Sequence, residues 1–217
     1  MHAINKPEQY EIFDTLRAVD DSYLIVTALP SELPMCGTEQ VLFTGVGKVN
    51  AAYALTRHLA THPNIKTIIN YGTAGGASGV KKGQLVKCTS FVQGDMNCGD
   101  LSPSGVTFGE STGLEGKIDF GTDGLVCRTQ DQFITNVHSL DMMEHLFSGN
   151  DRFNVVDMEA YALAKVSAAM GKDFYCYKYI SDDANESADD DWEDNVHKGE
   201  PLFYDTLQSQ HGYVNIK

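Results

Sequence analysis

The chain has 217 residues, 42% of them hydrophobic and 21% charged, with a formal net charge of −14. That composition suits a soluble globular protein, and the length suits one domain around a single core. The acidic balance excludes a nucleic-acid binder, which needs clustered Lys and Arg against phosphate.

No apolar run approaches 18 residues, so no transmembrane helix is expected, and MHAINKPEQYEIF lacks the basic head and apolar stretch of a secretory signal. Cys36, Cys88, Cys98, Cys127 and Cys176 form an odd set without a C-x-x-C pair. Reduced thiols in a cytoplasm are expected, with neither a disulfide frame nor a zinc site. No repeat or low-complexity linker divides the chain.

Taken in order, Ile12, Phe13, Leu16 and Val19 predict an amphipathic helix in an N-terminal extension over 1–20. YLIVTAL (23–29) and VLFT (41–44) read as buried strands, the second closing on Gly45-Val46-Gly47. An alanine-rich helix follows from about Val49 to Thr61 and stops before Pro63. TIIN (67–70) is a strand running into Gly72-Thr73-Ala74-Gly75-Gly76, and QLVKCTS (84–90) is the next. Residues 94–123 are loop-rich. GLVCRT (124–129) resumes a strand, and Ala162, Leu163, Val166, Ala169 and Met170 mark one face of a helix starting near Met158. FYCYKYI (174–180) is the last strand expected and 200–210 a closing helix. This alternation predicts an α/β fold with a mixed, largely parallel sheet.

The glycine motifs differ in what they allow. GVGKVN (45–50) has no third glycine for a dinucleotide fingerprint and no Gly-Lys-Ser/Thr for a P-loop. Its two glycines allow close backbone approach at a strand end. Gly72-Thr73-Ala74-Gly75-Gly76 predicts an open nest of N–H groups for an anion or a ribose oxygen. His58 and His62 share a helix face without the intervening Glu of H-E-x-x-H, and a helix C-terminus that favours positive charge accounts for them.

Two carboxylate clusters end apolar runs, Asp157-Met158-Glu159 and Ser181-Asp182-Asp183. Ligands of open parallel sheets bind outside the carboxyl ends of strands, so both clusters are expected in one pocket for a polyhydroxylated substrate that develops positive charge. Eight acidic residues fall between Asp182 and Asp194 with no basic residue among them. Asp189, Asp190 and Asp191 read as a solvated loop, since the spacing of an EF-hand is absent.

GVGKVNAA (45–52), INYGTAGG (69–76), VVDMEAYALAKV (155–166) and YISDDAN (179–185) occur in this order and at these intervals. Together they resemble the nucleoside phosphorylase superfamily, and most its hydrolytic branch, the 5'-methylthioadenosine/S-adenosylhomocysteine nucleosidases. The resemblance covers roughly 23–210, is weak over 77–123, and leaves out the first 20 residues. It implies a three-layer α/β/α fold and cleavage of the N-glycosidic bond of a purine nucleoside, such as a 5'-modified adenine nucleoside of methionine salvage. It implies no cofactor and no metal, a small-molecule nucleoside as partner, no membrane partner, and a homodimer.

Residue by residue, the resemblance makes Asp182 the acid that protonates purine N7, a role that needs a raised pKa. Glu159 would accept hydrogen bonds from both ribose hydroxyls, with Met158 packed along the sugar and Asp157 structural. Glu32 keeps the family's spacing for the water-activating base, although Pro30 stands where an acidic residue is common. Phe133 would stack on the purine and Ile134 meet it through its backbone. Thr73, Ala74 and Gly75 belong to the substrate-binding glycine segment. Leu29, Val46, Met158 and Trp192 would line an apolar site for the 5' substituent. QGDMNCGD (93–100) departs from the nucleosidase pattern near that site, which leaves a futalosine-like substrate open. Phosphorolysis is the alternative reaction, but Asn70 and the loop over 30–34 lack the arginines that hold phosphate. A non-catalytic nucleoside binder is the other alternative, and it needs no general acid.

Overall fold

The computed structural model describes residues 15–18, 20–34, 41–135, 153–185 and 187–216. Ten strands are defined among them: β1 (Thr15–Arg17), β2 (Tyr23–Thr27), β3 (Val41–Phe43), β4 (Thr67–Gly76), β5 (Leu85–Gln93), β6 (Ile118–Asp119), β7 (Leu125–Thr129), β8 (Val155–Asp157), β9 (Asp173–Asp182) and β10 (Val214–Ile216). The helices are α1 (Lys48–Thr61), α2 (Ala160–Ala169), α3 (Ala188–Asn195) and α4 (Glu200–His211).

Strands β2 to β9 form one mixed sheet of eight, and the expected α/β architecture is present. β2 pairs in parallel with β3 and β4, β4 with β9, β5 with β7, and β7 with β8. The antiparallel contacts are β4 with β8, β5 with β6, and β5 with β9. Followed from strand to strand, the pairings β4–β8–β7–β5–β9–β4 close on themselves. A closed circuit removes exposed edges from its members and tolerates polar side chains only where they find partners.

The alternation of β4 explains the layers. Ile68 and Ala74 pack with Leu55 and Leu59 of α1 and Leu163 of α2. Ile69 and Tyr71 face the other way and pack with Phe203 and Leu207 of α4. A residue period of two thus buries both faces of one strand against different helices. Among the described residues no helix is long and apolar enough to cross a membrane.

Three expectations change. Thr15–Arg17 is a strand, not part of a helix, and pairs antiparallel with β10, a strand that follows the expected last one. Ile12, Phe13 and Val19 lie outside the described residues, so the rest of the helical reading cannot be placed. The glycine segment 72–76 is not an open nest: β4 runs straight through it, and its backbone is committed to β9 and β8. Strand pairing takes up much of this backbone, and the Thr73 N–H goes to the Glu32 carboxylate. The acidic run 189–191 is the first turn of α3, not a loop, where carboxylates favour the helix dipole.

At Ala74/Gly75 the β4–β9 register slips, so that Ala74 faces Ile180 but Gly75 faces Asp182. Such a bulge re-aims the side chains that follow it. Asp182 is thereby delivered at the very end of β9.

The thiols Cys88, Cys127 and Cys176 are buried and free, and Cys98 is free and partly exposed; Cys36 lies outside the described residues.

Candidate active site

Three strand ends, the glycine turn at 45–47 and the glycine segment of β4 converge on a cavity of about 490 Å³. Glu32, in the turn after β2, is 4% exposed. Its Oε2 accepts hydrogen bonds from Thr27 Oγ1 at 2.8 Å, Ala28 N at 3.1 Å and Leu29 N at 3.0 Å. Its Oε1 accepts from the Thr73 backbone N–H at 2.8 Å and from Thr73 Oγ1 at 3.0 Å. Five donors hold one carboxyl group in a single orientation. Two of them come from β4, which ties the β2 turn to the middle of the sheet.

Glu159 stands just before α2. Its Oε1 accepts the Gly47 N–H at 2.8 Å across 112 residues of sequence. Gly47 holds φ at 96°, a conformation that L side chains resist, and a Cβ there would lie 3.2 Å from Asp131 Oδ1. The second glycine of GVG therefore serves a protein carboxylate directly. Burial, then the charge of Asp157, pushes the Glu159 pKa up to about 8.

Asp157 has no such freedom. Its Oδ1 accepts from Thr129 Oγ1 at 2.6 Å and its Oδ2 from Ala160 N at 2.8 Å. Lys178 Nζ sits 2.8 Å from Oδ2, both side chains 1% exposed or less. Burial opposes the carboxylate charge, but Lys178 and these donors hold the pKa of Asp157 below its usual value. Lys178 is held in its charged form by Asp157 against the same burial. The pair caps α2 and anchors the β8 end, so Asp157 is structural.

Asp182 is built differently. Ser181 Oγ donates to Oδ2 and the Ala184 N–H to Oδ1, each at 2.8 Å. No cation sits within ion-pair distance among the described residues. Burial raises its pKa against the two hydrogen bonds, and Asp191 and Asp183 add smaller upward pushes. Ala184 achieves its contact with φ at 49°, the one positive φ outside glycine among the described residues, and strain of this kind gathers at working sites. Gly75 completes the arrangement, since a Cβ there would come within 3.0 Å of Asp182 Oδ1.

Every residue expected at the site lines this one cavity: Asp182, Glu32, Glu159, Met158, Phe133, Ile134, Thr73, Ala74, Gly75, Val46, Leu29 and Trp192. Phe133 is 38% exposed and Ile134 is buried with Phe153, Val156 and Ala184. Lys48, the first residue of α1, bridges Asp95 at 2.6 Å and Asp131 at 2.9 Å.

Gln132, Asp189 and Glu193 also line the cavity without having been expected there. Asp189 and Glu193 are four apart on α3, which is the one signal that could have placed them on a common face. Lys178 was missed altogether, because a lysine inside FYCYKYI gives no sequence sign that its charge is buried beside Asp157. His58 and His62 stack at 4.0 Å; burial, then His62, lowers the pKa of His58. That disfavours the charge expected of it at the helix terminus.

The model of the phosphorylase superfamily matches residues 33–123. A Geobacillus kaustophilus 5'-methylthioadenosine/S-adenosylhomocysteine nucleosidase is 29% identical over 171 residues, 70% of each chain. A Listeria welshimeri protein of the same name is 28% identical over 190 residues, 75% of this chain and 77% of its own. Over these stretches the chain is similar to the phosphorylase superfamily and to those nucleosidases. In fold it is similar to the Helicobacter pylori MTAN mutant with 5'-methylthioadenosine in its active site, with a TM-score of 0.73 at 17% identity, covering 88% of this chain and 98% of that one. The native futalosine hydrolase of Helicobacter pylori also gives 0.73, at 19% identity over 86% and 95%. One fold can host more than one reaction, so the cavity lining must decide the chemistry. Glu32, Asp157, Glu159, Asp182, Asp189 and Glu193 all line it, and among the described residues no lysine or arginine does.

Proposed function

We propose that the chain hydrolyses the N-glycosidic bond of a purine nucleoside, a 5'-modified adenine nucleoside such as methylthioadenosine or adenosylhomocysteine. One observation carries the choice of water over phosphate: among the described residues the cavity is lined by carboxyl groups and by no cationic side chain that could hold a phosphate dianion, and carboxylates favour a sugar that becomes positively charged.

In this reading Asp182 enters the reaction protonated. As the C1'–N9 bond breaks, its proton passes to N7 of the departing purine, and the electron pair of that bond stays with the base. The sugar becomes oxocarbenium-like, and Glu159, which accepts hydrogen bonds from the ribose hydroxyls, gains favourable energy as the cation grows. Water attacks C1' and yields its proton to Glu32, whose orientation the five donors hold. Phe133 stacks on the base, Ile134 offers it backbone contact, and Met158 packs on the sugar. Leu29, Val46 and Trp192 take the 5' substituent. The nucleosidase relatives support adenine as the base, and we take methionine salvage as the setting. We place the protein in the cytoplasm as one domain that pairs as a homodimer.

The test is incubation with methylthioadenosine, adenosylhomocysteine, adenosine and inosine, with and without phosphate, identifying the sugar released. Free ribose sugars at a phosphate-independent rate are expected. Ribose-1-phosphate would overturn hydrolysis, and ligand binding without base release would make the protein a binder.

A further inference from the structure

Trp192 does more than wall the cavity. It stands on α3, which is fastened by the ion pair of Lys82 with Asp191 at 2.9 Å and by Asn195 Nδ2 donating to Ser181 O at 2.9 Å. The indole Nε1 donates to Thr73 Oγ1 at 2.9 Å. An indole N–H has no acceptor function, so the hydroxyl must accept there. The single proton of that hydroxyl is then left for Glu32 Oε1, 3.0 Å away, beside the Thr73 N–H that reaches the same oxygen at 2.8 Å. A rotor that would otherwise choose among neighbours has one setting.

We propose that Trp192 is a positioning residue for Glu32, acting through the Thr73 hydroxyl, so that the helix covering the cavity and the base opposite share one hydrogen-bond chain. The proposal rests on the reading of Glu32 as the base. It separates two properties of Trp192: the ring, which a phenylalanine would reproduce, and the N–H, which it would not. Because Trp192, Thr73 and Glu32 all line the cavity, a nucleoside pressing on the ring acts on the geometry of the base as well.

A double-mutant cycle with methylthioadenosine as substrate tests it. Trp192→Phe keeps an aromatic wall and is expected to lower kcat about fivefold, the worth of one neutral hydrogen bond, with KM changed less than about twofold. Thr73→Val is expected to lower kcat further, and Thr73→Ser to stay within about twofold of wild type. With the hydroxyl gone, adding Trp192→Phe costs nothing more, because coupled residues are not additive. Thr73→Ala replaces Thr73→Val in the cycle if circular dichroism shows the valine variant unfolded. Multiplying effects in the double variant, or a rise in KM with kcat unchanged for Trp192→Phe, would overturn the proposal. Glu32→Gln is the separating control: retained turnover removes Glu32 as the base, whereas an inactive Glu32→Gln with multiplying effects removes only the part assigned to Trp192.

Discussion

The two carboxylates that end β8 and β9 look alike in sequence and are treated oppositely by the fold. Asp157 receives a buried lysine, a threonine hydroxyl and a helix N-terminal N–H, and its charge is held in place. Asp182 receives one serine hydroxyl and one backbone N–H, and burial raises its pKa. Burial alone thus does not set a role. What counts is whether the partner supplied is a full positive charge, which makes a fixed anion, or only dipoles, which leave a group able to hold a proton. Glu159 lies between these cases, near enough to Lys178 to feel it and near enough to Asp157 to be pushed up to about 8.

Asp182→Asn should produce the largest loss, about 10²–10⁴-fold in kcat with adenine nucleosides, the usual worth of a general acid. The variant should melt like wild type. Because the raised pKa keeps Asp182 protonated towards higher pH, wild-type turnover should fall as pH rises through that value. A wild-type rate in Asp182→Asn would erase the contrast with Asp157.

Lys178→Met attacks the other side. It leaves Asp157 buried without its cation, which costs about 3–5 kcal/mol, or roughly 2–4 °C of Tm for each of those kcal/mol. Melts at pH 8 and pH 5 should show the deficit shrinking in acid, where Asp157 can take up a proton. A pH-independent deficit would mean that lost packing, not lost charge compensation, is responsible.

Glu159→Gln sharpens the middle case. In the folded protein the group holds its proton up to about 8, against about 4.3 unfolded. The native state therefore binds the extra proton, and stability falls as pH rises between these values. Removing the group should abolish that slope and raise Tm at pH 8 relative to wild type. It should also raise KM by about tenfold through loss of the carboxyl that accepts from the ribose hydroxyls. A lower Tm at pH 8 would show that the Gly47 contact outweighs the cost of the charge.

Much of the site was legible because it depends on short-range order. Glu32 after β2, Glu159 before α2 and Asp182 closing β9 each follow an apolar run, and the motif intervals bring along Phe133 and Trp192. The glycine segment misled for a definite reason: its composition is that of an exposed turn, yet a neighbour on each side extends it as a strand. Thr15–Arg17 misled because a three-residue strand exists only through its partner β10, and no local periodicity announces it.

The sequence by itself determined the α/β class and the strands that lead to Asp157, Glu159 and Asp182, since apolar periodicity and strand-end position are properties of neighbouring residues, while Glu32, Phe133 and Trp192 came from the family resemblance. The tertiary structure alone decided their electrostatic states. The slip at Ala74/Gly75 aims Asp182, the Gly47 N–H reaches Glu159 across 112 residues, and Lys178 neutralises Asp157 from another strand. Charge states follow distances of a few ångströms between residues remote in the chain, and only folding sets those distances.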